Sequence, residues 1–291
     1  MTALVPGVYG MRLLGVAPDP ALLAEVAASA PTFEVVRSTT SAGTLEGGVV
    51  HGLVDGAGSM AVRVEQRQVE YRLGRELTDD ELVHPWLAPA AAAMALHDGQ
   101  LALHGAVLEA DGRCVAVLGD REAGKSTLVA AAAARGLGVM TDDVIVLDAL
   151  HRVHAGPRCI DLRPGSAEHF AIGSSALARS GTRHRISLPA VPSSAALAAI
   201  VVLAWGSELR ATPLLGARAA QHLLPHVAAT HRGAAFQRLL DVSRVPHVLL
   251  ARPRDFGLLE VTVDLLAALL SAPRHGEGDA DHARPLHRKS D

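Results

Sequence analysis

The run Gly119-Asp120-Arg121-Glu122-Ala123-Gly124-Lys125-Ser126-Thr127 constrains this chain more than any other stretch. It matches the pattern G-x-x-x-x-G-K-[ST], in which a glycine-rich turn joins a buried strand to a helix. Both neighbours are present. Upstream, Cys114–Leu118 is a short apolar run of the buried-strand type; downstream, Leu128 to Arg135 is rich in alanine, a strong helix former. Strand, glycine turn and helix together aim backbone N–H groups and a helix N-terminus at an anion, so the spacing predicts a polyphosphate site. In that reading Gly119 and Gly124 let the backbone take the turn and Lys125 reaches the β/γ-phosphates. Ser126 puts a hydroxyl on a magnesium ion, and Asp120, Arg121, Glu122, Ala123 and Thr127 complete the nucleotide-binding stretch. ATP and Mg²⁺ are the expected ligands.

Composition narrows the setting. A chain of 291 residues holds one large domain or two small ones, and 49% hydrophobic content is ample for a core. Aromatics are only 3%, so that core is built from Ala, Val and Leu. A net charge of −3 argues against a nucleic-acid or membrane-surface binder. Cys114 and Cys159 fit a reducing cytoplasm and form no metal or disulfide framework. No signal peptide is expected, and the apolar runs Ala88–Leu96 and Ala195–Trp205 are too short to span a bilayer.

Four segments emerge. Residues 1–80 read as a small α+β module: β-type runs at Val8–Val16, Phe33–Ser38 and Val49–Val54, a hairpin from Met60–Val64 and Val69–Leu73, and helical spacing from Asp19 to Ala30. Residues 81–100 form a helical connector, entered at Thr78 with acidic residues in the first turn and interrupted by Pro85 and Pro89. Residues 101–271 alternate strands (Ala102–Leu108, Cys114–Leu118, Gly138–Met140, Val144–Leu147, Ala198–Leu203, Val248–Ala251) with helices (Ala217–Ala228, Ala234–Val242, Glu260–Ser271). Residues 272–291 are polar and expected to be a disordered tail.

A nucleotide loop needs a partner carboxylate from a neighbouring strand to hold magnesium and activate the attacking group. Asp142-Asp143 stands 16 residues after Ser126, at a strand end with one helix between. Two adjacent carboxylates there can divide metal binding and base chemistry; the alternative is a helix cap or solvated turn.

With His104-Gly105-Ala106, the loop and Arg135 to Asp143 in place, the chain resembles the HPr kinase/phosphorylase family. The likeness is to the HPr-kinase-like branch found beside ribosomal-peptide biosynthesis genes. It covers roughly Leu101–Leu147, with a looser match at Pro157–Pro164 and in the N-terminal module. It implies an α/β fold, a P-loop (HPr kinase-like) nucleotide-binding domain preceded by the small α+β module. It also implies a serine-type phosphotransferase acting on a peptide or protein hydroxyl, and a possible homo-oligomer. Asp143 would be the base and Asp142 the magnesium-side carboxylate, an order the sequence does not defend against its reverse. His104 would lie near the transferring phosphate or serve as a hydrogen-bonded core histidine. Two departures stand out. The loop interior, Asp120 to Ala123, is charged where the family is small or glycine-rich, and its acids need to face solvent or pair with Arg121. The downstream signature tied to phosphate removal in the bifunctional enzymes is not found in full, so the resemblance carries only the forward reaction.

Arg158, Arg163, Arg183 and Arg185 are candidates to stabilise the phosphoryl transition state or grip an acidic substrate, Arg163 first because it lies in the family-like segment. Arg179 to Arg185 reads as a substrate loop or an ordinary solvated one. His151/His154 and His222/His226/His231 lack ligand partners at metal spacing. The reading is an ATP–Mg²⁺-dependent kinase; its rivals are a nucleotide-binding scaffold with little turnover and a small-metabolite hydroxyl kinase.

Overall fold

The computed structural model describes residues 3–38, 49–52, 58–171, 177–178, 182–228 and 232–271. The C-terminal tail, Arg179–Gly181 and His231 lie outside the described residues. Among the described residues the protein is a mixed α/β structure of three sheets.

The first sheet has seven strands: β1 (Leu4–Val8), β2 (Met11–Leu14), β3 (Ala24–Ala27), β4 (Thr32–Ser38), β5 (Val49–Gly52), β6 (Gly58–Arg63) and β7 (Gln68–Leu73), in the order β3-β1-β2-β4-β7-β6-β5. The expected hairpin of β6 and β7 forms, with Met60 opposite Tyr71. Two expectations are corrected. Val8–Val16 is not one strand, because the chain reverses at Tyr9-Gly10, both with positive φ. Asp19 to Ala30 is not a helix: a short 3₁₀ turn at Pro20–Leu22 leads into β3, which pairs with β1 from Leu4↔Ala27 to Gly7↔Ala24. Backbone pairing and the alternate burial of Ala24 and Val26 outweigh a helical spacing of only three turns. Between residues 3 and 73 the described regular elements are therefore all strands apart from that 3₁₀ turn.

The connector begins with α1 (Asp79–Glu81), whose Thr78 and Glu81 cap each other reciprocally. His84 takes a non-helical conformation before Pro85, and α2 (Ala88–His97) resumes with Pro89 in its first turn, where a missing N–H costs nothing. The buried alanines of α2 pack with Phe33, Tyr71 and Val144, joining the first sheet to the second.

The second sheet comprises β8 (Leu101–Ala110), β9 (Arg113–Gly119), β10 (Gly138–Leu147), β11 (Arg152–His154), β15 (Ser194–Trp205), β16 (Arg210–Leu214) and β17 (His247–Arg252), ordered β11-β10-β8-β9-β15-β17-β16. The predicted strands at Gly138–Met140 and Val144–Leu147 are one, β10, with a register shift between Val139 and Thr141. Strands β9, β15 and β17 run parallel, and β9 is buried on both faces as such a strand requires. Helices α3 (Lys125–Ala134) and α7 (Leu259–Ser271) cover one face, while α5 (Ala217–Leu223) and α6 (Arg232–Val242) contribute to the core on the other. A small third sheet, β12 (Cys159–Leu162), β13 (Leu177–Ala178) and β14 (Arg183–Ser187), adjoins it, with α4 (Pro164–His169) following β12. Among the described residues no helix is long and apolar enough to cross a membrane.

Candidate functional site

The 119–127 loop leaves the end of β9 and enters α3 at Lys125. Gly124 holds a left-handed conformation, φ +83°, and a Cβ there would stand 2.5 Å from a guanidinium nitrogen of Arg252. That guanidinium donates to the carbonyls of Ala123 (3.2 Å) and Gly124 (3.4 Å), bracing the loop from behind. Gly119 is confined less closely, with Ala123 and Leu203 at 3.0–3.2 Å from where its Cβ would be. Lys125 folds back along the loop and donates to the carbonyls of Gly119 (2.8 Å) and Asp120 (3.2 Å). Burial lowers its pKa, against the pull of Asp142, Asp143 and Asp120.

The charged loop interior takes the first of the two expected arrangements, its acids facing solvent. Asp120, Arg121 and Glu122 are exposed, and Glu122 pairs not with Arg121 but with Arg163, at 2.7 Å. Arg163 is the residue that precedes α4. Thr127 turns to the same helix, sharing a hydrogen bond with Ser166 at 2.7 Å. Ala123 is buried.

The carboxylates arrive from β10, two strands away with β8 between. Asp142 lies opposite Ala106 and Asp143 opposite Gly105. Gly105 admits no side chain, since a Cβ would sit 2.6 Å from Leu118 and 2.8 Å from the Val117 carbonyl. His104, half-exposed, places Nδ1 3.4 Å from Asp143 Oδ1. It is no core histidine. Ser126 of the loop and Asp142 of the strand line the same cavity. The Asp142 pKa is pushed up to about 7, chiefly by burial, with Asp143 and Asp161 adding to the rise while Ser126 and Lys125 oppose it.

These residues share one cavity of about 420 Å³, lined by His104, Arg121, Glu122, Gly124 to Thr127, Asp142, Asp143 and Arg163. Gly119, Asp120 and Ala123 shape the loop without lining it. Of the other arginines, Arg183 reaches the cavity. Arg185 is instead a structural tie, donating to both oxygens of Asp161 (2.8 and 3.0 Å) and to the His84 carbonyl (2.9 Å). Arg158 caps the carbonyls of Leu188 and Pro189.

Sequence reasoning missed the opposite wall: Trp205, Arg252, Arg254 and Phe256. Trp205 and Arg252 end strands parallel to β9, and the crevice beyond the carboxyl ends of such strands is where ligands bind. An Arg-Pro-Arg run directly after an apolar strand was the available signal. Among the described residues, one group has potential metal-ligand atoms within 4.8 Å of one another, the buried His84, Cys159 and Asp161. There the Arg185 guanidinium already supplies the positive charge facing Asp161.

Backbone N–H groups at a helix start, an ammonium, a hydroxyl and a carboxylate in one cavity, and a second carboxylate beside an imidazole together can cradle an anion, hold a hard cation and accept a proton. Neither a protein-family model nor a curated protein matches this chain. Among solved structures it is similar to the HPr(Ser) kinase/phosphatase from Coxiella burnetii, at 14% identity and a TM-score of 0.34, over 57% of this chain and 93% of that one. A likeness at that score fixes neither fold nor activity.

Proposed function

We propose that the protein is an ATP–Mg²⁺-dependent kinase of the HPr-kinase-like type, transferring the γ-phosphoryl group to a hydroxyl, in particular a serine of a peptide or protein. One observation carries this reading. A loop of phosphate-binding pattern and an adjacent carboxylate pair share a cavity, Ser126 and Asp142 both lining it. Ser126 and Asp142 are hard oxygen donors lining one cavity, and burial raises the Asp142 pKa, so the pair suits Mg²⁺. The ion would neutralise phosphate charge. Lys125, released from the loop carbonyls, would turn to the polyphosphate. Asp143 would accept the acceptor's proton, with His104 orienting its carboxylate. The parallel with peptide-associated relatives rests on His104-Gly105-Ala106 and the run ending in Asp142-Asp143.

The test is transfer of labelled γ-phosphate from ATP to serine-bearing peptides and cell extract, comparing wild type with Asp143→Asn. Label in an acceptor should fall at least about 100-fold in the variant, the scale of a lost general base. Equal labelling by both would remove Asp143 from the chemistry. A second reading, a nucleotide-binding scaffold with little turnover, draws on the Glu122–Arg163 pair at the loop and on Lys125 tied to loop carbonyls. Tight ATP binding with no acceptor labelled would favour it.

A further inference from the structure

The cavity has two ends, and the proposed chemistry uses one of them. On one side of the loop, β8 and β10 present His104, Asp142 and Asp143. On the other, β15 and β17 continue the sheet in parallel with β9. Gly119 is level with Leu203, and Trp205 with Arg252. This second end has a different composition. The described aromatic side chains are mostly core residues, yet Trp205 and Phe256 are 37% and 45% exposed, and both line the cavity. In a chain with 3% aromatics, two exposed rings at one cavity end are a concentrated use of a scarce residue. The guanidinium carbons of Arg252 and Arg254 each lie 4.8 Å from the Trp205 ring centroid. Arg254 is exposed, whereas Arg252 is buried and its Nε has no hydrogen-bond partner among the described residues. Phe256 stacks on His169 at 4.2 Å, which holds its ring at the rim.

We infer that Trp205, Arg254 and Phe256 form the nucleoside end of the nucleotide site, taking the base by stacking on ring and guanidinium planes. This rests on the phosphate-binding reading of the 119–127 loop. If the reacting phosphoryl and its acceptor occupy the carboxylate end, the base and ribose leave the loop the opposite way, toward these rings. Aromatic faces and arginine planes bind any nucleobase without needing a specific hydrogen-bond pattern.

Two probes separate this inference from the reading beneath it: ATP and inorganic tripolyphosphate, each with Mg²⁺, titrated into the full chain by calorimetry. Trp205→Ala should weaken ATP about tenfold and leave tripolyphosphate within about twofold, the loss expected for one stacking partner. Because Trp205 also packs on the loop-bracing Arg252, Phe256→Ala is the second variant, with the same selective loss expected. Wild type binding both probes equally, or variants that lose both in parallel or neither, would overturn the nucleoside end while leaving the phosphate site standing. Failure of wild type to bind either probe would bring down both. If an acidic peptide, and not ATP, responds to Phe256→Ala, the rim belongs to a peptide and the inference falls.

Discussion

At the scale of single residues, the loop is governed by where side chains have no room. Gly124 and Gly136 both have left-handed backbones, φ +83° and +85°, but only Gly124 has a neighbour within reach of a Cβ, the guanidinium of Arg252. An alanine at either position carries a cost of about 1–2 kcal/mol for the conformation alone. We therefore expect Gly136→Ala to lower stability by that amount and leave ligand binding intact. Gly124→Ala should also push Arg252 off the Ala123 and Gly124 carbonyls and abolish tripolyphosphate binding. Chemical denaturation and calorimetry of the two variants side by side check this, and equal phosphate binding would show that the loop does not depend on that brace. The motif glycines were readable from spacing. The residue that makes Gly124 irreplaceable, 128 positions later, was not.

Among elements, β10 matters most because it carries the carboxylate pair and is held from behind by the first sheet. The Tyr9-Gly10 turn between β1 and β2 packs there. The Tyr9 amide donates to the Ala155 carbonyl at 2.6 Å, and its buried ring sets the limit on Gly156. A Cβ on Gly156 would come within 2.7 Å of both Tyr9 Cε1 and Thr141 Oγ1. Thr141 in turn donates to the Val144 carbonyl at 2.9 Å, spanning the two aspartates. Burial, with the charge of Asp143 next, keeps the Tyr9 phenol well above its ordinary pKa, so it stays neutral beside them. Gly156→Ala should destabilise the protein by about 1–3 kcal/mol through overpacking, read as a fall in the thermal midpoint. An unchanged midpoint would mean that this packing yields. Nothing in residues 1–80 carried recognisable chemistry as sequence, because the contribution of Tyr9 is a contact with a strand about 130 residues away. The strand β3 was hidden for a related reason: its pairing partner, not its own spacing, sets its conformation.

For the molecule as a whole, the third sheet is tied to the connector by a buried charge. Asp161 on β12 is 5% exposed, accepts two hydrogen bonds from Arg185 on β14, and lies 3.4 Å from His84 Nε2 in the connector. Arg185 also reaches the His84 backbone. Removing the guanidinium leaves a carboxylate buried without its counter-charge, which costs about 3–5 kcal/mol. Arg185→Ala should therefore unfold at markedly lower denaturant, whereas Arg158→Ala, whose bonds are to carbonyls nearer the surface, should cost less than half as much. A comparable loss for the two would show that the Asp161 cluster is not a principal tie. Arg158, Arg183 and Arg185 were indistinguishable as basic residues in one stretch of sequence. Burial and partners separate them into a carbonyl cap, a cavity wall and a structural ion pair.

The sequence by itself determined what is local. The loop sits at a strand–helix junction because the glycines, the apolar run before them and the alanines after them act over a few residues, and the capped start of α1 follows from Thr78 and Glu81 alone. Only the tertiary structure decided what faces the loop. The order β10-β8-β9-β15-β17 sets carboxylates on one flank and a tryptophan with two arginines on the other. That order depends on pairing between distant strands, where a shift of one residue would turn every side chain to the opposite face, and no local pattern encodes such a choice.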